Sequence, residues 1–340
     1  GFLVDVGRHF FSVDYLKEVI DMLALHNINY FHWHLTEDQG WRIEIKKYPK
    51  LTEIGSYRKE TIVAPGSDQF DNTPVSGYYT QEEAKEIVRY AAERYITVIP
   101  EIDMPGHMLA TLASYPELGC TGGPYEVWRQ WGISDNVLCA GNDQTIQFMK
   151  DVLAEIVDIF PSEYIHVGGD ECPKTQWEKC PKCQALYKKE GMKEPGELQD
   201  YFTRKMSEYI RSKGKIMVGW DEINDRHAAT PEDMLTVWRD NGLKAQKAAL
   251  ERGIPVVMCP QHGCYLDWGY AGNSTRKVYE WDPVTSQVTP EQEALVKGGQ
   301  GALWTERVAT QDRVEWMLYP RLAALSEVFW TNASKRNWDD

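Results

Sequence analysis

Carboxylates, histidines and tryptophans gather just behind short apolar runs along this chain. The first run ends in Asp5-Val-Gly-Arg8-His9 and the second in His32-Trp33-His34-Leu-Thr-Glu37-Asp38. The third ends in Glu101-Ile-Asp103-Met-Pro-Gly-His107 and the fourth in His166-Val-Gly-Gly-Asp170-Glu171. Later runs close with Trp220-Asp221-Glu222, Trp238-Arg239, Tyr265-Leu-Asp267 and Trp304-Thr-Glu306. Carboxylates accept hydrogen bonds or carry protons, an arginine donates in a fixed fork, and indole faces are flat and apolar. Together they suit a sugar, with rings to stack on and partners for hydroxyls. One such ending would mean little. Eight, each at the same place behind its run, point to a functional rim.

Histidines and cysteines raise the question of a metal. His32 and His34 are expected to point to opposite barrel faces, which would keep them from sharing an ion. No metal and no other cofactor is expected. Seven cysteines cannot all pair within one chain. Cys180-Pro-Lys-Cys183 reads as half of a zinc knuckle whose second half does not follow in the sequence. Cys120 and Cys139 flank a Gly-rich loop and are candidates for a bridge. Buried free thiols are the expectation for the others. A bridge would argue for export, and a secreted or periplasmic location is expected.

The elements that must hold these endings are strands alternating with helices. Strands are read at 3–6, 28–35, 96–102, 164–167, 215–220, 234–238, 254–259 and 301–304. Helices are read at 14–26, 80–94, 144–160, 196–212, 243–252, 289–297 and 312–329. Ser12 caps the first helix, and Thr80-Gln-Glu-Glu83 has the capping-box pattern. The strands are near-continuous apolar runs, as in sheets covered on both faces. Alternating βα units imply a parallel sheet, and eight of them imply an α/β fold of the (β/α)8 TIM-barrel type. In that fold the active site lies at the C-terminal ends of the strands, where the polar endings fall. One domain is expected over 1–340, with the barrel at roughly 1–330 and long βα loops at 52–79 and 115–143.

Composition narrows the partners. A net charge of −14 would repel phosphate-rich ligands, so nucleic acid is not expected. No run of about 20 apolar residues is present, so no membrane-spanning segment is expected. Thirteen Trp and 18 Tyr fit either stacking platforms for sugar rings or a large core. Nothing in the sequence sets the oligomeric state.

The ordered endings resemble glycoside hydrolase family 20, the β-hexosaminidases. The segment His166-Val-Gly-Gly-Asp170-Glu171 is similar to that family's signature on the fourth strand, and matching blocks run from Asp5 to Glu306 in order. The resemblance implies a retaining exo-β-N-acetylhexosaminidase acting on a terminal β-linked N-acetylhexosamine. It implies Glu171 as general acid, with a raised pKa, and Asp170 as partner of the substrate's acetamido N–H. Tyr265 is then the donor to the acetamido carbonyl. Trp220, Trp238 and Trp304 wall the pocket. Arg8 takes the O3 and O4 hydroxyls, Glu306 takes O4 or O6, and Asp267 the O6 side. His107 and Asp103 are a supporting pair linked to the acid, with His107 also counted at the substrate site, and His166 stands behind them. The family usually has two Asp where Glu37-Asp38 stand, which leaves the hydroxyl contact of Glu37 for the structure to decide. Members also commonly carry a small α/β domain ahead of the barrel, which this sequence does not include. A pocket altered for sulfated sugars or disaccharide release, or a non-catalytic sugar-binding barrel, are the other readings.

Overall fold

Eight parallel strands close into a barrel in this computed structural model, which describes residues 1–339. They are β1 (Phe2–Asp5), β2 (Tyr30–His34), β3 (Thr97–Glu101), β4 (Tyr164–His166), β5 (Ile216–Trp220), β6 (Met234–Val237), β7 (Val256–Met258) and β8. The last comes in two pieces, Val296–Gly299 and Gly301–Leu303. The first piece pairs with β7 and the second with β1, so β8 is the strand that closes the ring. Gln300, between them, keeps the ladder going with its N–H on Met258 O at 2.8 Å. This corrects the expected helix at 289–297. Only a 3₁₀ turn, Glu293–Leu295, forms there before the strand begins. Glu, Gln, Ala and Leu favour helix locally, but tertiary pairing overrides so weak a preference.

Leaving aside short ones in the loops after the strands, eight helices stand among the described residues. They are α1 (Val13–Leu25), α2 (Gln81–Ala92), α3 (Asp143–Ile159), α4 (Glu197–Ser212), α5 (Leu243–Glu251), α6 (Thr275–Glu280), α7 (Gln311–Leu318) and α8 (Arg321–Trp330). Ser12 caps α1 as expected, and Tyr15, Leu16, Val19, Ile20 and Leu23 form its buried stripe. The Thr80–Glu83 capping box opens α2. The alternation is not even. Between β5 and β6 there is only a 3₁₀ turn, Asp221–Asn224.

The barrel interior is polar at one level, and here a second expectation fails. His32 Nε2 and His34 Nδ1 both lie 2.6 Å from Glu101 Oε2. They share a face, because residues two apart on a strand point the same way. The expectation of opposite faces was wrong.

The loops after the strands carry most of the irregular structure. Part of loop 52–79 folds into a small hairpin, Tyr57–Arg58 against Val75–Ser76. The loop after β3 holds the helix Leu109–Ser114 and an antiparallel bridge between Gly119 and Leu138. The loop after β4 holds the helices Thr175–Lys179 and Pro181–Lys189. All seven cysteines are free thiols. The candidate Cys120–Cys139 bridge is absent, and the argument for export that it would have carried goes too. No helix among the described residues is long and apolar enough to cross a membrane.

Candidate active site

The turn after β4 determines where the two adjacent carboxyls go. Gly168 and Gly169 have φ of +64° and +97°, conformations that side chains rarely adopt. A Cβ on Gly168 would sit 1.8 Å from Asp103 Oδ1. The Gly169 N–H donates to that same Asp103 oxygen at 3.1 Å, and Gln199 on α4 donates to Gly169 O at 2.7 Å. Glu171 itself has φ +44°. For a residue with a Cβ this left-handed region costs about 1–2 kcal/mol, a strain that packed surroundings hold at functional sites. The tight turn sinks Asp170 and leaves Glu171 at the pocket mouth, with side chains 14% and 33% exposed.

One imidazole joins the pair. His107 Nε2 lies 3.1 Å from Glu171 Oε2 and 3.6 Å from Asp170 Oδ2. Its Nδ1 lies 3.1 Å from both Asp38 Oδ2 and Glu37 Oε2. Burial works against a charge on His107, yet Glu37, Asp38 and Glu171 raise it well above the ordinary histidine range. An imidazolium with both N–H groups donating fits this geometry. Asp38 is fixed in turn by the Leu109 N–H on its Oδ1 at 2.9 Å.

Beneath Asp170 lies a second carboxyl. Asp103 Oδ2 and Asp170 Oδ1 are buried without other hydrogen-bond partners, and the two side chains approach within 4.8 Å. Neighbouring carboxylates resist ionising together. Burial, reinforced by Asp170, pushes Asp103 well up, so Asp103 holds the proton. Burial is also the largest influence on Asp170. His107 opposes it and Glu171 reinforces it, which puts Asp170 at about 6. Asp170 is therefore mostly ionised at neutral pH.

Arg8 forms the opposite, cationic part of the pocket. Its guanidinium contacts Asp5 Oδ2 at 3.2 Å, Glu37 Oε1 at 2.9 Å and Gln39 Oε1 at 3.0 Å, and lies 5.4 Å from the Trp304 ring centre. Glu306 is 3.9 Å away. Arg58 secures the Arg8 backbone by donating to its carbonyl at 2.7 Å. Glu37 has both carboxylate oxygens engaged, by Arg8 and His34 on one side and by His107 and the Asp38 N–H on the other. It lines the pocket, and its longer side chain serves to anchor Arg8 and His107.

Aromatic rings close the remaining sides. Trp238 and Tyr265 lie nearly parallel at 6.3 Å, while Trp304 meets Trp220 at 5.9 Å and Tyr265 at 6.0 Å. Burial raises the Tyr265 phenol well above its usual range, so it remains an O–H donor. Burial and the Glu306 charge push Asp267 up to about 8. At neutral pH its carboxyl is mainly protonated and can donate as well as accept.

The cavity among these groups is about 200 Å³. Every residue expected to touch substrate lines it except His107, which is buried behind Glu171. Asp103 and His166 also stand behind the wall. Gln261 and Trp268 line it unexpectedly. A larger cavity, about 340 Å³, opens among Asn27, Tyr30, Lys297 and Trp330, but no carboxylate lines it. Size alone does not mark the site.

Two positioning carboxylates carried no role in the sequence reading. Glu222 accepts from Trp238 Nε1 at 2.8 Å. Glu101 accepts from Trp220 Nε1 at 2.9 Å while holding His32 and His34. Glu101 ends β3 and Glu222 lies in the turn directly after β5, each within one of the polar strand endings, and that was the available signal. His32, Glu101 and His166 are close enough to share an ion. Their atoms are already committed, however. His32 Nδ1 is bound by Gln300 at 3.0 Å, His166 Nδ1 accepts from the Gly168 N–H at 3.0 Å, and His166 Nε2 is left to donate to Thr236 Oγ1 at 3.2 Å.

Residues 1–333 match the family model described as "Glycosyl hydrolase family 20, catalytic domain". The chain belongs to glycosyl hydrolase family 20. A beta-hexosaminidase of Porphyromonas gingivalis is 42% identical over the whole of this family 20 domain and 44% of its own length. A crystal structure of a beta-N-acetylhexosaminidase superposes with a TM-score of 0.92 at 33% identity, covering 100% of this chain and 73% of the other. The exo beta-N-acetylglucosaminidase of Vibrio harveyi, in complex with N-acetylglucosamine, gives a TM-score of 0.88 at 34% identity, covering 99% and 55%. The family 20 domain spans about half the length of the curated relatives from Porphyromonas gingivalis and Vibrio furnissii.

Proposed function

We propose that this chain removes terminal β-linked N-acetylhexosamine residues, with retention, using the substrate's own acetamido group as nucleophile. The observation that carries this reading is the convergence of Asp170 and Glu171 on one nitrogen of His107. The two carboxyls stand on the same wall of the pocket. The usual retaining scheme needs two carboxyls flanking the bond, one protonating and one attacking, and family 20 is a named exception to it.

In the first step Glu171 gives its proton to the glycosidic oxygen. The acetamido carbonyl oxygen attacks C1 as the C1–O bond breaks, and the alcohol leaves. Tyr265 donates to that carbonyl and aims it, an advantage of orientation. The oxazolinium ion carries positive charge near its nitrogen, and ionised Asp170 stabilises it. In the second step Glu171 takes a proton from water, the water oxygen attacks C1 and the ring opens. Two inversions give retention. Arg8 and Glu306 bind the sugar's far hydroxyls, and the aromatic rings pack against its apolar surfaces.

The test is hydrolysis of 4-nitrophenyl β-N-acetylglucosaminide beside the non-acetylated glucosaminide and the glucoside. The expected result is turnover of the first alone, lost in Glu171→Gln. Equal turnover of the glucoside would sink the mechanism, since that substrate carries no internal nucleophile.

A further inference from the structure

We propose that Cys120, Cys139, Cys180 and Cys183 bind one structural zinc ion, which ties the loop after β3 to the loop carrying Glu171. The four sulfurs come from two loops and converge within 4.8 Å of one another. Cys120–Cys183, Cys139–Cys180 and Cys139–Cys183 are separated by 3.9, 3.7 and 3.6 Å. A tetrahedral ZnS4 centre with Zn–S bonds of about 2.3 Å has sulfur–sulfur edges of about 3.8 Å. The sulfurs thus stand near the corners such an ion requires.

The surroundings are built for it. Cys180 precedes the helix Pro181–Lys189, and Cys183 lies on its first turn. This is the half-knuckle visible in the sequence. The other half is distant in sequence and comes from the loop after β3. There the Gly119–Leu138 bridge and the Cys139 N–H on Leu118 O, at 2.8 Å, hold Cys120 and Cys139 side by side. The Gly141 N–H points at Cys183 Sγ at 3.4 Å, a donor that would stabilise a thiolate. Gly141 packs so closely on the knuckle that a Cβ there would lie 2.3 Å from the Lys182 carbonyl carbon. Trp177 is fully buried against the cluster and donates to Leu138 O at 2.9 Å. Cys139, Cys180 and Cys183 are buried and Cys120 is half-buried.

Binding balances as four thiols and Zn²⁺ giving a tetrathiolate centre of charge −2 and four protons, with no oxidant or reductant. The position argues for a structural role. Four protein ligands leave no open coordination position, and none of the cysteines lines the sugar pocket. The consequence is mechanical. Cys172 directly follows Glu171 and belongs to the same buried cluster as the knuckle, so metal loss should loosen the acid's loop.

The test is zinc content by mass spectrometry on the chain purified without chelators, with Co²⁺ as a probe. One zinc per chain is expected, along with thiolate-to-cobalt charge-transfer absorption and tetrahedral visible bands after substitution. Cys139→Ser and Cys180→Ser should lose the ion and lower the unfolding temperature, while Cys259→Ser, outside the cluster, should keep it. If the knuckle variants fail to fold, thiol counting on the unfolded natural sequence remains decisive. The centre predicts seven reactive thiols after chelation. Two disulfides among the four would leave three, and that count would overturn the proposal. So would metal-free protein from cells supplied with zinc.

Discussion

At the residue scale, the proposed mechanism requires Asp170 to be ionised to stabilise a cationic intermediate, which makes its protonation the acid limit of that reaction. Burial first, and Glu171 beside it, set its carboxyl at about 6, while His107 pulls it down. As pH falls through about 6, Asp170 takes up a proton and kcat/KM should fall tenfold per further unit, because kcat/KM follows the free enzyme. Asp170→Asn should lower kcat by about 10²–10³ and abolish this limb, the loss typical of a preorganised electrostatic partner. His107→Ala removes the neighbouring cation, so the remaining activity should show its acid limb at higher pH. A limb that stays in place would mean that another group sets it. The pocket residues were largely legible, because each ends or follows a barrel strand and a barrel gathers strand ends on one face. His107 was read both as a substrate contact and as a support. The structure gives it the second position, since the helix Leu109–Ser114 begins just beyond it and keeps it behind Glu171. Gln261 and Trp268 were missed because they lie on a loop whose path no periodicity encodes.

At the element scale, the turn after β4 converts a strand into a wall of the pocket, and glycine is what permits it. Gly168→Ala should be far more damaging than glycine replacement usually is. Its Cβ would fall 1.8 Å from Asp103 Oδ1 and 2.9 Å from Asp103 Cα, and φ is already +64°. The loop must move, and a displacement of about 1 Å at reacting groups can cost about a hundredfold in rate. Gly191→Ala is the control. It has nearly the same φ, +63°, but open space around it. It should cost about 1–2 kcal/mol in stability from the left-handed backbone alone and leave kcat unchanged. Urea unfolding and steady-state rates on both variants separate clash from strain, and equal effects would refute the argument. The elements themselves were legible where a single physical signal dominated. Apolar runs marked the strands, and Ser12 and Thr80 marked helix starts. The second piece of β8 was read, at 301–304, but the first piece, Val296–Gly299, was hidden because Val-Lys-Gly-Gly has little strand character and only the unpaired edge of β7 calls for it. The knuckle's second half was hidden for a similar reason. Cys139 and Cys180 meet only because two barrel loops fold against each other.

At the scale of the whole molecule, one buried network ties the barrel together beneath the pocket. Glu101 on β3 holds His32 and His34 on β2 and the Trp220 indole on β5. Gln300, within β8, reaches His32, and His166 on β4 reaches Thr236 on β6. The sequence hid this, because the inward set of β2 was assigned to two faces. Burial alone would raise Glu101, but the surrounding histidines, His34 foremost, hold it well below the usual carboxylate range. For His34, burial opposes the charge, yet Glu101 and Glu37 push it up to about 10. A raised histidine stabilises the fold fully below its unfolded value of about 6.5 and loses that contribution as pH rises through its folded value. The natural chain should therefore lose stability between about pH 6.5 and 10, with His34 as one source. Glu101→Ala leaves His34 buried without its main counter-charge, and breaking a buried pair in this way typically costs about 3–5 kcal/mol. The variant should also show a shallower alkaline decline, because the group that held the proton on His34 is gone. Urea unfolding of both proteins at several pH values tests this. Parallel declines would mean that another group, not the Glu101–His34 pair, governs alkaline stability. The same substitution frees the Trp220 N–H beneath the pocket, so KM for the acetamido substrate should rise in the variant even where it stays folded.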